Sequence, residues 1–152
     1  MKRLIFNPPP FMAPHDRGYF EVYLMDKSDK RVEHLHQQDC AAHWRHKWPN
    51  VAMCHIVNEA ADLPEHYRKK LRLMGLEKGA SDIQVNHRSH CGTFGFAAVE
   101  LKRATKTLAS PVSDEQEKWL TRSILGGGCG VVCYGWRSFI IFMRWYLDGV
   151  ID

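Results

Sequence analysis

The stretch from Thr93 to Lys102 reads as a β-strand of aromatic, small and branched apolar residues that ends in two charged side chains. Successive side chains of a strand point to opposite faces of its sheet, so Glu100 and Lys102 share one face while Val99 and Leu101 share the other. A carboxylate and an ammonium beside an apolar strand cost desolvation energy unless they lie at a solvated strand end or in a metal-centred site. This strand alone fits both interpretations: the first makes the two charges part of the protein surface, and the second makes them part of an active site.

The composition places this strand in an ordinary globular chain. With 152 residues, of which 45% are hydrophobic and 25% charged, the chain is long enough for one domain with a sizeable core. No apolar run approaches the roughly 18 residues of a membrane span, and the run at the start is too short for a signal peptide. The five cysteines are odd in number and scattered, which favours reduced thiols and a cytoplasmic location. A net charge of +4 permits a polyanionic partner without requiring one.

The remaining patterns predict strands and helices in alternation. Short apolar runs predict strands at Tyr19–Leu24, Val51–Val57, Ser81–Val85 and Gly130–Tyr134. Apolar periodicity with start and stop signals predicts helices at Arg31–Lys47, Leu63–Met74, Ser113 to the glycines at 126–128, and Trp136–Leu147. Asp62 is the expected cap of the second helix, and Ser113 with Gln116 forms a capping box at the third. This order predicts an α/β fold, a mixed central sheet flanked by helices in a single domain, after a proline-rich start that should be extended or irregular.

Asp82 is a third charged residue that could form a metal-centred site with Glu100 and Lys102. It begins the preceding strand, and a hairpin centred near Cys91 and Gly92 would make Asp82 and Glu100 cross-strand neighbours, because both are equidistant from the turn. Two carboxylates at a sheet edge, with Lys102 two residues along, suit a hard divalent cation and phosphate chemistry. A cross-strand salt bridge on a solvated face explains the same spacing, and Glu-x-Lys alone does not decide between the two.

Basic residues occur on both sides of this acidic pair. Lysine and arginine bind nucleic-acid backbones, and a basic flank would hold DNA against a metal site. An ordinary solvated helix face is the alternative for each residue taken singly, because Glu65 and Glu77 dilute the charge. The candidate DNA-binding residues are Arg68, Lys69, Arg72, Lys78, Arg103 and Lys106.

Other constellations have weaker support. Zinc ligands could come from His87, His90, Cys91, Cys129 and Cys133, but the paired Cys-x-x-Cys and His-x-x-x-His spacings of familiar zinc modules do not occur. The glycines at 126–128 lack the lysine and hydroxyl residue of a phosphate-binding loop and are better explained as a helix stop. The histidines at 34, 36, 43 and 46 are best explained as the solvated side of the first helix.

Together these segments resemble the virus-type replication-repair nuclease (VRR-NUC) domain of the PD-(D/E)XK nuclease superfamily. The resemblance covers most of the chain, from about Glu33 to Leu147, and depends on the order and spacing of several segments. The segments that carry it are Glu33–Gln38 with Trp44, Arg72–Asp82, Val99–Lys102, Leu108–Trp119 and Gly130–Gly135.

The resemblance implies a restriction-endonuclease-like sheet and a set of catalytic residues. Asp82 matches the aspartate of the family's Gly-x-Pro-Asp motif, and Glu100 and Lys102 match its Glu-x-Lys. Gln116 matches the family's glutamine on the following helix, although its first explanation is the capping box. Glu33 matches the acidic residue of the first helix.

The same resemblance implies a function. It implies a metal-dependent DNA endonuclease in which Asp82, Glu100 and the carbonyl of Leu101 bind Mg²⁺ or Mn²⁺. It further implies a homodimer that acts on branched DNA, such as Holliday junctions, in viral or mobile-element replication or repair. A DNA-binding module with the same fold that does not cleave is the alternative, which the retention of both carboxylates and Lys102 disfavours.

Two features of the sequence lie outside the family pattern. Ser81 stands where the family usually has proline, which would leave the turn before Asp82 less restrained without removing a ligand. Residues 1–30 precede the match and are expected to be an N-terminal extension with one short strand, followed by a VRR-NUC-like domain over residues 31–152.

Overall fold

The chain folds around one six-stranded sheet. A computed structural model describes residues 6–57 and 62–152. The strands are β1 (Met12–Pro14), β2 (Phe20–Tyr23), β3 (Met53–His55), β4 (Ile83–Val85), β5 (Ala97–Lys102) and β6 (Cys129–Tyr134). The helices are α1 (Glu33–Lys47), α2 (Glu65–Leu73), α3 (Asp114–Leu125) and α4 (Gly135–Asp148), with a 3₁₀ turn at Lys106–Leu108. None of the helices in these described ranges is long and apolar enough to cross a membrane.

The sheet is mixed, and its strand order is β1-β2-β6-β5-β4-β3. β2 and β5 each pair with β6 in parallel, whereas the pairings β1–β2, β4–β5 and β3–β4 are antiparallel. The carboxyl ends of the three parallel strands therefore lie at the same edge of the sheet. In open α/β sheets, ligands bind outside this edge.

Helices cover both faces of the sheet, and β5 lies between them. All six residues of β5 are buried, including its two charged ones. On one face, Val99 and Leu101 join a large core with residues of α1, α4 and β6. On the other face, Ala98 packs in a smaller core with Leu120 of α3. This arrangement confirms the predicted α/β class with a mixed sheet flanked by helices.

α3 begins with the capping box that the sequence predicts. The Gln116 N–H donates to the Ser113 hydroxyl at 3.2 Å, and the Ser113 N–H donates to Gln116 Oε1 at 2.9 Å. Because both groups satisfy N–H donors that the first turn of a helix leaves unpaired, the box fixes where α3 starts. It also places the Gln116 side chain beside the end of β5.

Local detail differs from the sequence prediction in three places. The proline-rich start is more ordered than expected, because residues 12–14 form β1, which pairs with β2 in the same sheet. Asp62 does not cap α2: Pro64 occupies the cap position with φ −53°, ψ 146° and no side-chain capping bond. β5 begins at Ala97 and not at Thr93, because the Phe94 N–H donates to the Ser89 hydroxyl of the preceding turn.

His36 is fully buried, so its assignment to a solvated helix face is wrong. Its Nδ1 accepts a hydrogen bond from the Trp136 N–H at 3.3 Å, which joins α1 to the first residues of α4. Its Nε2 lies 3.6 Å from Asp29 Oδ1. Burial lowers the pKa of His36, although Asp29 raises it in part. The uncharged imidazole ring is therefore favoured, and its hydrogen bond connects the two helices.

Candidate active site

The pairing of β4 with β5 brings Asp82 to Glu100. Ile83 pairs with Val99, and the same antiparallel register carried one residue further puts Asp82 opposite Glu100. The register predicted from the equal spacing around the turn is therefore confirmed. Asp82 Oδ2 accepts a hydrogen bond from the Leu101 N–H at 2.7 Å, which holds this carboxyl against the end of β5.

Gly79 shapes the approach of the chain to Asp82. Its φ is +84°, a left-handed conformation that side chains other than glycine disfavour. A Cβ at this position would lie 2.4 Å from the backbone carbonyl carbon of Glu115, in the first turn of α3. The neighbouring Lys78 Nζ forms an ion pair with Glu115 Oε1 at 3.0 Å. The segment before Asp82 is thereby packed against the helix that carries Gln116.

Glu100, Lys102 and Gln116 form a hydrogen-bonded cluster on the α3 side of β5, in which the two charged side chains are buried and Gln116 is half-buried. Lys102 Nζ lies 3.5 Å from Glu100 Oε1 and donates hydrogen bonds to Gln116 Oε1 at 3.2 Å and to Ser110 Oγ at 3.4 Å. The amide nitrogen of Gln116 donates to Glu100 Oε1. Glu100 and Lys102 are each only 2% exposed, so the explanation of the pair as a solvated strand end is wrong.

The two carboxyls compete for a proton. Burial, followed by the nearby charges of Asp82 and Glu33, raises the pKa of Glu100 to about 9, although Lys102 lowers it. Burial also raises the pKa of Asp82, which the hydrogen bond from the Leu101 N–H and the charge of Lys102 partly offset. Two acids this close cannot both ionise cheaply in a low-dielectric site. At neutral pH, Glu100 therefore holds a proton as long as no cation is bound.

The donor set fits a small divalent cation. Glu100 Oε2 is buried and has no hydrogen-bond partner among the described residues, which leaves an oxygen available as a ligand. Mg²⁺ is usually held by one or two carboxylates while water and phosphate oxygens complete its coordination, so Asp82, Glu100 and the Leu101 carbonyl would be a fitting set of ligands. In residues 6–57 and 62–152, no group of three His, Cys, Asp or Glu side chains is arranged to hold a metal ion by itself.

A cleft of about 310 Å³ opens beside Asp82. Glu33, the first residue of α1, contributes to its wall, as do Asp82 and Leu101. His55 also contacts this region, because its Nδ1 lies 2.8 Å from the Asp82 carbonyl oxygen. No local signal marks His55, because its contact depends on the pairing of β3 with β4. The residues that line the cleft are Val32, Glu33, His34, Gln37, His55, Asp82 and Leu101.

Similarity to known proteins is found in the fold and not in the sequence. No protein-family model matches the sequence, and no curated protein sequence matches it. A solved structure described as a VRR_NUC domain protein is similar, with a TM-score of 0.63, 17% sequence identity, and coverage of 80% of this chain and 97% of that chain. The fold is VRR-NUC-like. This confirms the resemblance seen in the sequence at the level of topology.

The candidate DNA-binding residues occupy different surroundings on this VRR-NUC-like fold. Lys69 and Arg72 are exposed on α2, and Arg68 is half-buried there. Lys78 is paired with Glu115, as described above. Arg103 donates hydrogen bonds to the backbone carbonyls of residues 30 and 31, and Lys106 forms an ion pair with Glu21 at 2.8 Å. Of the six candidate residues, the three on α2 are therefore the ones whose side chains form no ion pair or hydrogen bond to the backbone in the described part of the chain.

The residues of the alternative zinc site are divided between core and surface. Cys129 and Cys133 are fully buried in β6, and burial raises the pKa of both thiols. His87, His90 and Cys91 are exposed in the turn between β4 and β5. Within the VRR-NUC-like fold, the two cysteines serve as apolar core residues.

Proposed function

We propose that the chain is a metal-dependent endonuclease that hydrolyses phosphodiester bonds in DNA. The observation that carries the proposal is the pair of facing carboxyls of Asp82 and Glu100, both with raised pKa values, beside the buried ammonium of Lys102. Carboxyls arranged in this way are costly to the fold and become favourable when a cation neutralises them. The VRR-NUC-like fold supports the same conclusion by analogy.

Asp82, Glu100 and the carbonyl of Leu101 would hold Mg²⁺ or Mn²⁺. The bound cation supplies the charge that polarises a scissile phosphate and lowers the pKa of a nearby water. The chain's own contribution is orientation: the Leu101 N–H fixes Asp82, and the Gln116 amide fixes Glu100. Glu33 would assist from the wall of the cleft.

Lys102 would orient or activate the attacking water. Gln116 Oε1 and Ser110 Oγ accept hydrogen bonds from its Nζ, so the ammonium is held beside Glu100. An ammonium confined in a low-dielectric site stabilises developing negative charge more strongly than one in water. Gln116 touches both Glu100 and Lys102 and would keep their relative positions during the reaction.

The substrate and assembly follow the family resemblance. We propose branched DNA, such as a Holliday junction, as the substrate, a homodimer as the active form, and the cytoplasm of a host cell as the setting. Arg68, Lys69 and Arg72 on α2 would bind phosphates, because positive charge on an exposed helix attracts the DNA backbone. Lys78, Arg103 and Lys106 would contribute once their contacts within the chain are exchanged for phosphate.

Cleavage of a labelled four-way junction with Mg²⁺ or Mn²⁺ tests this function. We expect Asp82→Ala, Glu100→Ala and Lys102→Ala each to reduce the cleavage rate by at least about 100-fold, the lower range for loss of a group that assists proton transfer. Asp16→Ala, at an exposed carboxyl before β2, is the matched control and should cleave like the wild type.

Two outcomes would contradict the proposal in different ways. Metal-dependent cutting that survives all three substitutions would show that the site lies elsewhere. A wild-type protein that binds junctions but cuts no junction, flap, single-stranded or linear DNA would instead be the non-cleaving DNA-binding module.

A further inference from the structure

The carboxyl end of α2 presents large apolar side chains to solvent. No residue of α2 is buried against the described part of the chain, and Leu73 and Met74 are 81% and 73% exposed. Burying a leucine or methionine side chain stabilises a protein by roughly 1.5 to 3 kcal/mol, and these two exposed side chains contribute none of that stabilisation to the fold. Adjacent exposed apolar side chains can form part of a surface that contacts a binding partner.

The backbone holds these two side chains in a fixed position. The Leu76 N–H donates to the Leu71 carbonyl at 2.9 Å, and the Gly75 N–H donates to the Arg72 carbonyl at 3.0 Å. These bonds, with Gly75 at φ +102°, form the Schellman motif that ends many helices. Leu73 and Met74 therefore protrude from an ordered turn and are preorganised for insertion.

The charges around the turn favour a polyanion over a second copy of the chain. Within α2, Lys69, Lys70 and Arg72 are exposed and Arg68 is half-buried, against the single acidic residue Glu65. Two such helices facing each other would repel, whereas a phosphate backbone would be attracted. An apolar tip on a basic helix thus suits DNA whose bases are accessible.

The turn also lies within reach of the proposed cleavage site. Eight residues lead from Met74 to Asp82, which span at most roughly 26 to 29 Å even when fully extended. One turn of duplex DNA is about 34 Å long, so both sites fit on one turn. The contact of Gly79 with Glu115 ties this connecting segment to α3.

We propose that Leu73 and Met74 are a wedge that inserts against unstacked bases of the bound DNA near the cut site. The proposal rests on the proposed function only in taking DNA as the ligand. Leucine and methionine enter base steps in proteins that kink DNA, and the unstacking costs a few kcal/mol. That cost is smallest where stacking is already interrupted. The ligand class is therefore a branch point or nick, and not a continuous duplex.

Fluorescence of 2-aminopurine at the branch point of a junction tests the wedge in EDTA, where no cleavage occurs. The base fluoresces more strongly when it is unstacked, so wild-type binding should raise the signal. The double variant Leu73→Ser/Met74→Ser should still bind, with affinity weakened by no more than about tenfold, a change of roughly 1.4 kcal/mol, and should lose the rise. Leu125→Ser, at a side chain 75% exposed at the end of α3, is the matched control and should keep it.

A second measurement compares cleavage of a fully paired junction with cleavage of the same junction carrying unpaired bases at its centre, in Mg²⁺. The double variant should be slow only on the paired substrate. Three outcomes would overturn the wedge. The wild type could bind without a rise in fluorescence, or the double variant could retain the rise. Alternatively, the wild type could be a dimer in solution and the double variant a monomer, which would show that these side chains form a subunit interface. A wild type that unstacks the base but cuts neither substrate would support the wedge and contradict only the nuclease function.

Discussion

At the scale of single residues, ionisation of the buried Glu100 carboxyl would lower the free energy of unfolding. The residue is 2% exposed, faces a second carboxyl, and is compensated by one amide and one ammonium. Its pKa is raised to about 9 in the folded protein, against an ordinary value of 4.5. The folded state therefore binds more protons than the unfolded state across this interval, and the metal-free protein loses stability as pH rises through it.

Glu100→Gln should remove this pH dependence, because an amide keeps the shape of the side chain without ionising. We expect the variant in EDTA to exceed the wild type in free energy of unfolding at pH 8 by an amount on the order of 1 to 3 kcal/mol, since one pKa unit is about 1.4 kcal/mol. The free energies of unfolding of the two proteins should become equal near pH 5. Urea unfolding from pH 5 to 9 measures the difference.

Glu65→Gln, on exposed α2, is the matched control for Glu100→Gln, and its stability curve should follow that of the wild type. A Glu100→Gln variant that is less stable than the wild type at pH 8 would show that the carboxylate is already satisfied in the metal-free fold.

At the scale of elements, one side chain, that of Gln116, contributes both to the first turn of α3 and to the candidate active site. Gln116 Oε1 accepts from the Ser113 N–H to cap the helix and from Lys102 Nζ to order the site. Ser113 contributes only to the cap, through its hydroxyl. The two roles can therefore be separated by comparing substitutions at these two positions.

Ser113→Ala should lower the free energy of unfolding by about 1 kcal/mol, the usual cost of a lost helix cap, while metal-dependent cleavage stays within a few fold of the wild type. Gln116→Ala should lower both stability and cleavage, because Glu100 and Lys102 lose their shared partner. Thermal unfolding and junction cleavage of the two variants measure the separation. Equal losses of cleavage in both would show that Gln116 acts only through the helix.

At the scale of the whole molecule, a cation bound at this edge of the sheet would stabilise the entire fold. A ligand that binds the folded state alone stabilises it by RT ln(1 + [L]/Kd). Adding Mg²⁺ at a hundredfold excess over Kd should therefore stabilise the wild type by about 2.7 kcal/mol at pH 8 and raise its Tm. Asp82→Asn and Glu100→Gln should lose the increase, and Glu65→Gln should keep it. An equal increase in all four proteins would indicate binding elsewhere.

Sequence rules captured the parts of the molecule that local chemistry determines. The alternation that separates Glu100 from Val99, the register that brings in Asp82, and the capping box of α3 follow from strand geometry and hydrogen-bond stoichiometry. The burial of His36 and the contact of His55 with Asp82 were missed, because their partners lie 100 and 27 residues away. Such contacts depend on how helices and strands pack, which no short pattern encodes.

The double duty of Gln116 has an evolutionary consequence. One oxygen serves both the folding of α3 and the arrangement of Lys102, so a change at position 116 cannot improve one trait while leaving the other untouched. Positions 113 and 116 are consequently epistatic: a substitution accepted at one alters which substitutions are tolerated at the other. Loss of the Gln116 side chain would therefore leave the Ser113 N–H without its capping partner unless another residue replaced it.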